Sequence, residues 1–463
     1  MYNDNSWMTS FSITKNSREL FTIKNNPNDI QAVHSIRFIS AVLIFLSHKC
    51  GELHKPMVNG IEMAMNSGRS ESVFVRICAL YTDTFLLLSG MLVSYSFIGK
   101  LQRGQRINII KEYAARYMRI TPSIVAIILF GTFIIPLLGS GPLWTSIVIH
   151  PATLCKSYWW RNLLFIHNWY RFEDMCMLHT HHVGTDFELF LIAPFIIFIL
   201  FKWPKKGTIL VFALAAISTI ARLYITYTKE LAYFIPFGVK LSQLVDTATF
   251  MYSRPPYRFT VYAIGIMLGY YLRKHKNTKL SKLQLSTGWS VCLLSFLAVI
   301  AGSISMTGMD YKYNPTHAAL FAAFAPILWC FHSVWIIFAS HLGYDSTSQI
   351  IFNFLSVLMI SFIDSFTKSL QWKGFQITSK FSYAFYLVQI LILQLNIAGT
   401  RTTEQYGLHS MINLNELFFV LLATVVLALF FEVPFTNIKK LIFDKTLITK
   451  CDNNETQLTK KIK

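Results

Sequence analysis

The chain has 463 residues, of which 53% are hydrophobic and only 14% are charged, and its formal net charge is +19. A soluble globular protein usually carries about 25% charged residues, so this composition excludes an ordinary soluble domain and indicates an integral membrane protein. The lysines and arginines cluster in short loops between apolar runs, which is typical of contact with anionic lipid headgroups. Because no nucleic-acid-binding motif accompanies this charge, we expect membrane lipids as partners and no nucleic acid.

The apolar runs predict an all-α, polytopic transmembrane helical bundle of about ten spans, because a helix crosses a bilayer with about twenty apolar residues. The runs lie at 36–53, 73–99, 119–138, 186–203, 208–228, 258–272, 286–307, 316–340, 379–397 and 415–435. The stretch 350–364 is an ambiguous eleventh run. We therefore expect a polar N-terminal segment at 1–30, a transmembrane domain at 31–437 and a basic tail at 438–463.

With ten spans, the basic loops all lie on one side of the membrane, including the segment 100–119 between the second and third spans. The positive-inside rule makes this side cytoplasmic and puts both termini there, in a plasma membrane or an endomembrane. The long loop 139–185 then lies on the opposite side and contains Cys155 and Cys176. An oxidising compartment would permit a disulfide between them, and two free cysteines are the alternative.

The first span contains two ionisable residues, Arg37 and His48. Their separation is close to three helical turns, so both side chains face one side of the helix, about 16 Å apart. A histidine inside a bundle can act as a general base near neutral pH. A structural hydrogen bond for His48 and anchoring of Arg37 at the membrane boundary are the alternative interpretations.

Charged residues also mark the second and third spans. Asp83 precedes a long apolar run, and it could orient a histidine, pair with an arginine or make a structural contact. Arg116 and Arg119 are three residues apart, so they share one helix face at the mouth of the third span. Two guanidinium groups so arranged suit a phosphate-rich ligand, although basic anchoring at the membrane boundary is the more common role.

A histidine cluster stands at the entrance of the fourth span, where His179, His181 and His182 are followed by Asp186. Histidine and carboxylate groups are zinc ligands, but this spacing matches no standard zinc motif. We therefore expect no metal and interpret His179 and Asp186 as part of a polar gate or of a site for an acceptor substrate.

Taken in order, these motifs resemble the membrane acyltransferase-3 family and, within it, the nose-resistant-to-fluoxetine-type animal branch. The similarity extends over nearly the whole chain, from about Phe11 to Phe435. The matching stretches are Arg37 with His48, Asp83-Thr-Phe-Leu-Leu-Leu-Ser-Gly90, Arg116-Tyr-Met-Arg119, Gly139-Ser-Gly-Pro-Leu-Trp144, Cys155 with Tyr158-Trp-Trp, Met175-Cys176, His179-Thr180, Ser382-Tyr383 and Glu432-Val-Pro-Phe435. Each motif is weak alone, and the ordered set is specific.

The resemblance implies an O-acyltransferase that moves an acyl group from a donor such as acyl-CoA to a hydroxyl acceptor. It implies that Arg116 and Arg119 hold the donor phosphates on the cytoplasmic side. It also implies that His48 takes the proton of the acceptor, with Arg37 and Asp83 completing the catalytic set. A non-enzymatic transporter of lipid or small molecules with the same fold is the alternative.

The same resemblance pairs Cys155 with Cys176, and it also reveals departures from the family pattern. Family members usually have histidine where Gln389 stands, which slightly favours the transporter alternative. Residues 357–371 look like extra sequence before the ninth span. Many animal relatives carry an additional secreted-type domain before the matching region, so we expect a short paralogue or a truncated sequence.

Overall fold

The computed structural model describes most of the chain, with gaps at both termini and in several loops. The described residues are 7–23, 29–49, 55–236, 238–275, 278–343, 372–405, 407 and 413–443. Regular structure within them is helical, apart from one isolated β-bridge between Met57 and Glu404. The predicted eleventh run at 350–364 and the predicted extra sequence at 357–371 lie outside the described residues.

The α-helices of the described residues follow one another with short connections. They are α1 (Ile13–Phe21), α2 (Gln31–His48), α3 (Gly60–Ser67), α4 (Val73–Arg76), α5 (Cys78–Gln102), α6 (Ile109–Leu129), α7 (His150–Leu163) and α8 (His181–Lys202). They continue with α9 (Pro204–Thr228), α10 (Leu241–Thr247), α11 (Pro255–Lys274), α12 (Lys282–Ile304), α13 (Pro315–His341), α14 (Gly374–Gly399), α15 (Leu414–Leu427) and α16 (Val433–Phe443). A π-helical turn, Ala428–Glu432, joins the last two.

Nine helical segments in the described ranges are long and apolar enough to cross a membrane. They are Gln31–His48, Cys78–Gln102, Ile109–Leu137, Leu178–Lys202, Pro204–Thr228, Lys282–Ile304, Pro315–His341, Gly374–Gly399 and Leu414–Phe443. Each contains most of one predicted run, so the prediction of an all-α polytopic membrane bundle is confirmed. The remaining predicted run, 258–272, lies in α11, which is a helix but is not among these nine.

Helix α11 lies inside the bundle and packs most extensively against α5. Glycines permit this approach: a Cβ atom added at Gly265 would lie 2.2 Å from the carbonyl oxygen of Leu87. One added at Gly269 would lie 2.4 Å from the carbonyl oxygen of Met91, and one at Gly90 would meet the α11 backbone. Close backbone approach through small residues is a usual way for helices to associate in membranes. Because α11 is covered by protein, it needs less apolar surface than a lipid-facing span.

Substituting Gly265 with alanine is expected to destabilise the bundle by about 1–3 kcal/mol, because its methyl group would overlap the α5 backbone. The matched control is Gly399→Ala at the end of α14, where an added Cβ meets nothing within 4 Å. Unfolding of the two purified variants in detergent measures the difference. Equal stabilities for the two variants would contradict the close α5–α11 contact.

The helices and the predicted runs differ at several boundaries. The first run is predicted at 36–53, whereas α2 begins at Gln31, and residues 50–53 of that run lie outside the described residues. The third was expected to begin at 119, but α6 begins at Ile109, where the side chain of Asn108 caps the helix. The predicted loop 139–185 contains α7. Apolar runs mark only the part of a helix in the hydrocarbon, whereas helices continue into the polar headgroup region.

Candidate active site

His48 and Arg37 lie on one helix, α2, and His48 is its last residue. The histidine is partly exposed, but its Nδ1 atom is buried and has no hydrogen-bond partner among the described residues. Gln389 of α14 lies beside the ring. The Gln389 side chain is 1% exposed, and neither of its amide atoms has a hydrogen-bond partner in the described part of the chain. This end of α2 therefore presents polar atoms that can bind a ligand hydroxyl.

Two residues of the histidine cluster, His179 and His182, flank Tyr386 of α14, and His179 lies within electrostatic range of His48. The Nε2 atom of His179 lies 3.0 Å from the carbonyl oxygen of Leu387, and the Tyr386 hydroxyl donates to the carbonyl oxygen of His179. The rings of His179 and His182 lie 6.0 and 6.2 Å from the Tyr386 ring. The described residues contain no group of three or more histidine, cysteine or carboxylate residues that could hold a metal ion. His179, His182 and Tyr386 therefore form a buried polar surface beside His48.

Asp83 pairs with an arginine that the sequence analysis did not select. Its Oδ1 atom lies 2.8 Å from Nη2 of Arg258 on α11, and both side chains are almost fully buried. The Tyr233 hydroxyl donates to Oδ2 of Asp83 over 2.6 Å. Of the roles left open for Asp83, pairing with an arginine is the one that this geometry shows.

Arg116 is held against α8. Its Nη2 atom donates to Asp186 and, over 3.0 Å, to the Ser89 hydroxyl. The guanidinium group also lies 4.2 Å from the centre of the Phe190 ring. The sequence analysis predicts that Asp186 and His179 lie in one site, but seven residues along a helix separate the two by about 10 Å. Asp186 therefore lies with the arginine expected on the donor side.

Arg119 has different surroundings, although it shares a helix face with Arg116. It is exposed, and it lies within electrostatic range of Arg37 and of Glu432 in the π-helical turn before α16. The two arginines of this motif thus differ: Arg116 is in a fixed ion pair, and Arg119 is accessible to a ligand. Arg37 lies towards the opposite end of α2 from His48, and it is therefore close to Arg119 and Glu432.

The Arg116–Asp186 pair predicts a coupling free energy of about 1 kcal/mol between the two positions. Arg116→Gln and Asp186→Asn should each destabilise the protein, and the double variant should lose less than the sum because both changes break one interaction. A double-mutant cycle on unfolding in detergent measures this. Strictly additive losses would show that the ion pair contributes nothing to the fold.

A disulfide joins Cys155 on α7 to Cys176, in the connection that leads to α8. The side chain of Asn162 donates to the carbonyl oxygen of Cys176 and to the Thr180 hydroxyl, at 2.8 Å each. Nearby His167 lies 3.1 Å from the same hydroxyl, and burial lowers its pKa to about 4, so that this ring is neutral at pH 7. These contacts fix the turn that contains His179 and Thr180, which comes directly before α8.

Sequence reasoning missed Arg258, Arg222 and Tyr233. The signal for the two arginines was available, because Arg222 stands inside one apolar run and Arg258 at the start of another. Charged residues within spans are functional candidates by default. Tyr233 lies in a connection between helices and had no comparable signal.

Comparison with known proteins gives a family. Residues 30–433 match the model of a family described as an acyltransferase domain, acyltransferase-3. The chain is similar to Nose resistant to fluoxetine protein 6 of Caenorhabditis elegans, with 25% identity over 97% of this chain and 56% of that protein. It is also similar to Regulator of hypoxia-inducible factor 1 of the same organism, with 25% identity over 56% of this chain and 54% of that protein. The chain thus spans about half the length of the curated relatives that it matches. No solved structure matches it.

Proposed function

The chain belongs to the acyltransferase-3 domain family, and from this premise we propose that it transfers an acyl group from a donor such as acyl-CoA to a hydroxyl acceptor. The observation that carries the proposal is the buried Nδ1 atom of His48, which has no hydrogen-bond partner in the described ranges. It lies at one end of α2, and Arg37 lies towards the other, near the exposed Arg119. A single helix, α2, thus carries the basic residue Arg37 towards one end and the candidate general base His48 at the other.

The donor binds at the basic end. Arg119 is accessible and Arg37 lies near it, so their guanidinium groups attract the phosphates of acyl-CoA. Arg116 acts differently, because its ion pair with Asp186 fixes α6 against α8. It orients α6 and thereby positions Arg119.

The acceptor hydroxyl binds at the His48 end. His48 takes its proton, and the acceptor oxygen attacks the thioester carbonyl carbon. The carbon–sulfur bond then breaks, and the protonated histidine returns its proton to the leaving thiolate. The products are an acyl ester and free CoA. Gln389 and His182, which lies beside Tyr386, hold the acceptor near His48. Their buried side-chain nitrogen and oxygen atoms have no hydrogen-bond partner among the described residues, and the acceptor supplies one.

The proposed orientation follows the basic loops, with both termini and the donor end in the cytoplasm. The disulfide connection at Cys155 and Cys176 would then face the oxidising side of the membrane. The acyl chain stays in lipid while the nucleotide part of the donor stays in water.

One residue favours a second candidate function, movement of lipid or of a small molecule without acyl transfer. Gln389 stands beside His48, at the position where the resemblance places a histidine in the family, and an amide acts as neither an acid nor a base near pH 7. If that histidine were essential for transfer, this chain would bind acceptors without acylating them.

The test is a reaction of the purified protein with a panel of acyl-CoAs and of sterol, lipid and sugar acceptors. Release of free CoA thiol that requires an acceptor supports the proposal. Specific binding or flux of an acceptor, with no thiol release from any donor, would support the second candidate and overturn the first.

A further inference from the structure

A second charged cluster lies inside the bundle, on helices α5, α9 and α11. Its members are Asp83, Arg222 and Arg258, whose side chains are 0%, 1% and 1% exposed. Buried ionisable groups in a membrane protein are costly, and they persist where they pair or bind something. The proposed acyl transfer assigns no role to Arg222, so its surroundings need a separate account.

The described side chains of this cluster do not balance in charge. Asp83 forms its ion pair with Arg258 at 2.8 Å. Arg222 donates instead to two carbonyl oxygens, those of Tyr257 at 2.5 Å and Ala322 at 3.3 Å. Within the described ranges, no carboxylate pairs with Arg222, and its Nη2 atom has no hydrogen-bond partner. Because arginine stays protonated in proteins, two guanidinium groups and one carboxylate leave one positive charge.

The neighbouring tyrosine does not supply the missing negative charge. Tyr233 packs near the Arg222 guanidinium group, at 5.9 Å from its ring centre, and donates its hydroxyl proton to Asp83. Burial and the Asp83 carboxylate raise the pKa of Tyr233 well above its ordinary value of 10. The phenol is therefore neutral at physiological pH and contributes no negative charge.

We propose that Arg222 and Arg258 bind a small monovalent anion, such as chloride, between α9 and α11. Arg222 offers its Nη2 atom and Arg258 its Nε atom, and neither atom has a protein partner among the described residues. A monovalent anion cancels the single positive charge, which would otherwise be strongly destabilising in a low-dielectric interior.

The charge of the cluster sets the class of anion. A monovalent anion such as a halide balances the single positive charge of Arg222, Arg258 and Asp83. A divalent anion such as sulfate would instead leave one uncompensated negative charge in the bundle interior, which is costly.

The test is thermal unfolding of the purified protein in detergent, with chloride replaced stepwise by gluconate at constant ionic strength. The wild-type Tm is expected to rise with chloride and to saturate, by about 3 °C in total, because an anion that binds only the folded state stabilises it. Bromide should replace chloride, and sulfate should not. A wild-type Tm that is the same in chloride and in gluconate would overturn the proposal.

Two variants locate the site. Arg222→Gln removes the unbalanced charge, so its Tm should no longer depend on chloride, and without chloride it should exceed that of the wild type. Arg161→Gln is the control, because this arginine lies on α7, which carries no member of the cluster, and stacks on Tyr158 and Tyr170. This variant should keep the chloride response. A chloride response that survives in Arg222→Gln would put the anion elsewhere and contradict the assignment. If Arg222→Gln does not fold, the wild-type halide series still decides the question.

Discussion

Replacing His48 with alanine is expected to reduce acyl transfer by about 100- to 10,000-fold, because the reaction loses the base that takes the acceptor proton. The Nδ1 atom of His48 is buried and makes no hydrogen bond to the described residues, and Gln389 is the polar side chain beside the ring. The KM for the donor should change little, since the donor phosphates are proposed to bind at the far end of α2. Steady-state rates of CoA release measure both quantities.

His150→Ala is the matched control for this prediction. His150 is exposed at the start of α7, and the substitution removes the same ring from the surface. The control should retain wild-type rates. Both variants should elute as the same monodisperse species in detergent, so that loss of activity in His48→Ala reports chemistry and not unfolding. Wild-type rates in a folded His48→Ala protein would rule out the proposed base.

Replacing Arg119 with glutamine is expected to raise the KM for acyl-CoA by about 10- to 100-fold, because a charge-assisted hydrogen bond to phosphate is worth about 1.5–3 kcal/mol. The kcat should fall less, since Arg119 is proposed to bind the donor and not to act on the reacting carbonyl. High salt should weaken donor binding to the wild type more than to the variant.

Arg106→Gln is the control for net charge. Arg106 is exposed in the same basic segment, and its loss removes one positive charge from the same loop. If the effect is specific to Arg119, the Arg106 variant should keep a KM close to that of the wild type. Equal increases in both variants would mean that the loop attracts donors only through its overall charge.

The sequence predicted the parts of this molecule that depend on local pattern. Apolar runs identified the spans, and helical periodicity put Arg37 and His48 on one helix, α2. The run at 258–272 was also helical, but its place at the centre of the bundle depends on glycine contacts with α5. Hydrophobicity alone does not distinguish a helix that faces lipid from one that faces protein.

Partners in the site depend on tertiary packing, and sequence reasoning did not find them. Asp83 and Arg258 are 175 positions apart and meet because α5 and α11 cross closely. Arg116 and Arg119 share a helix face, but α8 brings Asp186 to only one of them. The motifs therefore predicted which residues belong to the candidate site. The separate roles of these residues depend on side chains of neighbouring helices, which the sequence pattern does not show.

The most direct test of the account is the stoichiometry of one reaction. Acyl-CoA carrying a radiolabelled acyl group is incubated with acceptor and either the wild type or His48→Ala, and free CoA and labelled acyl ester are both quantified. The account predicts one ester formed for each CoA released by the wild type, and neither product above background with His48→Ala. Acceptor movement across a liposome membrane without ester formation, or ester formation that persists in folded His48→Ala, would contradict it.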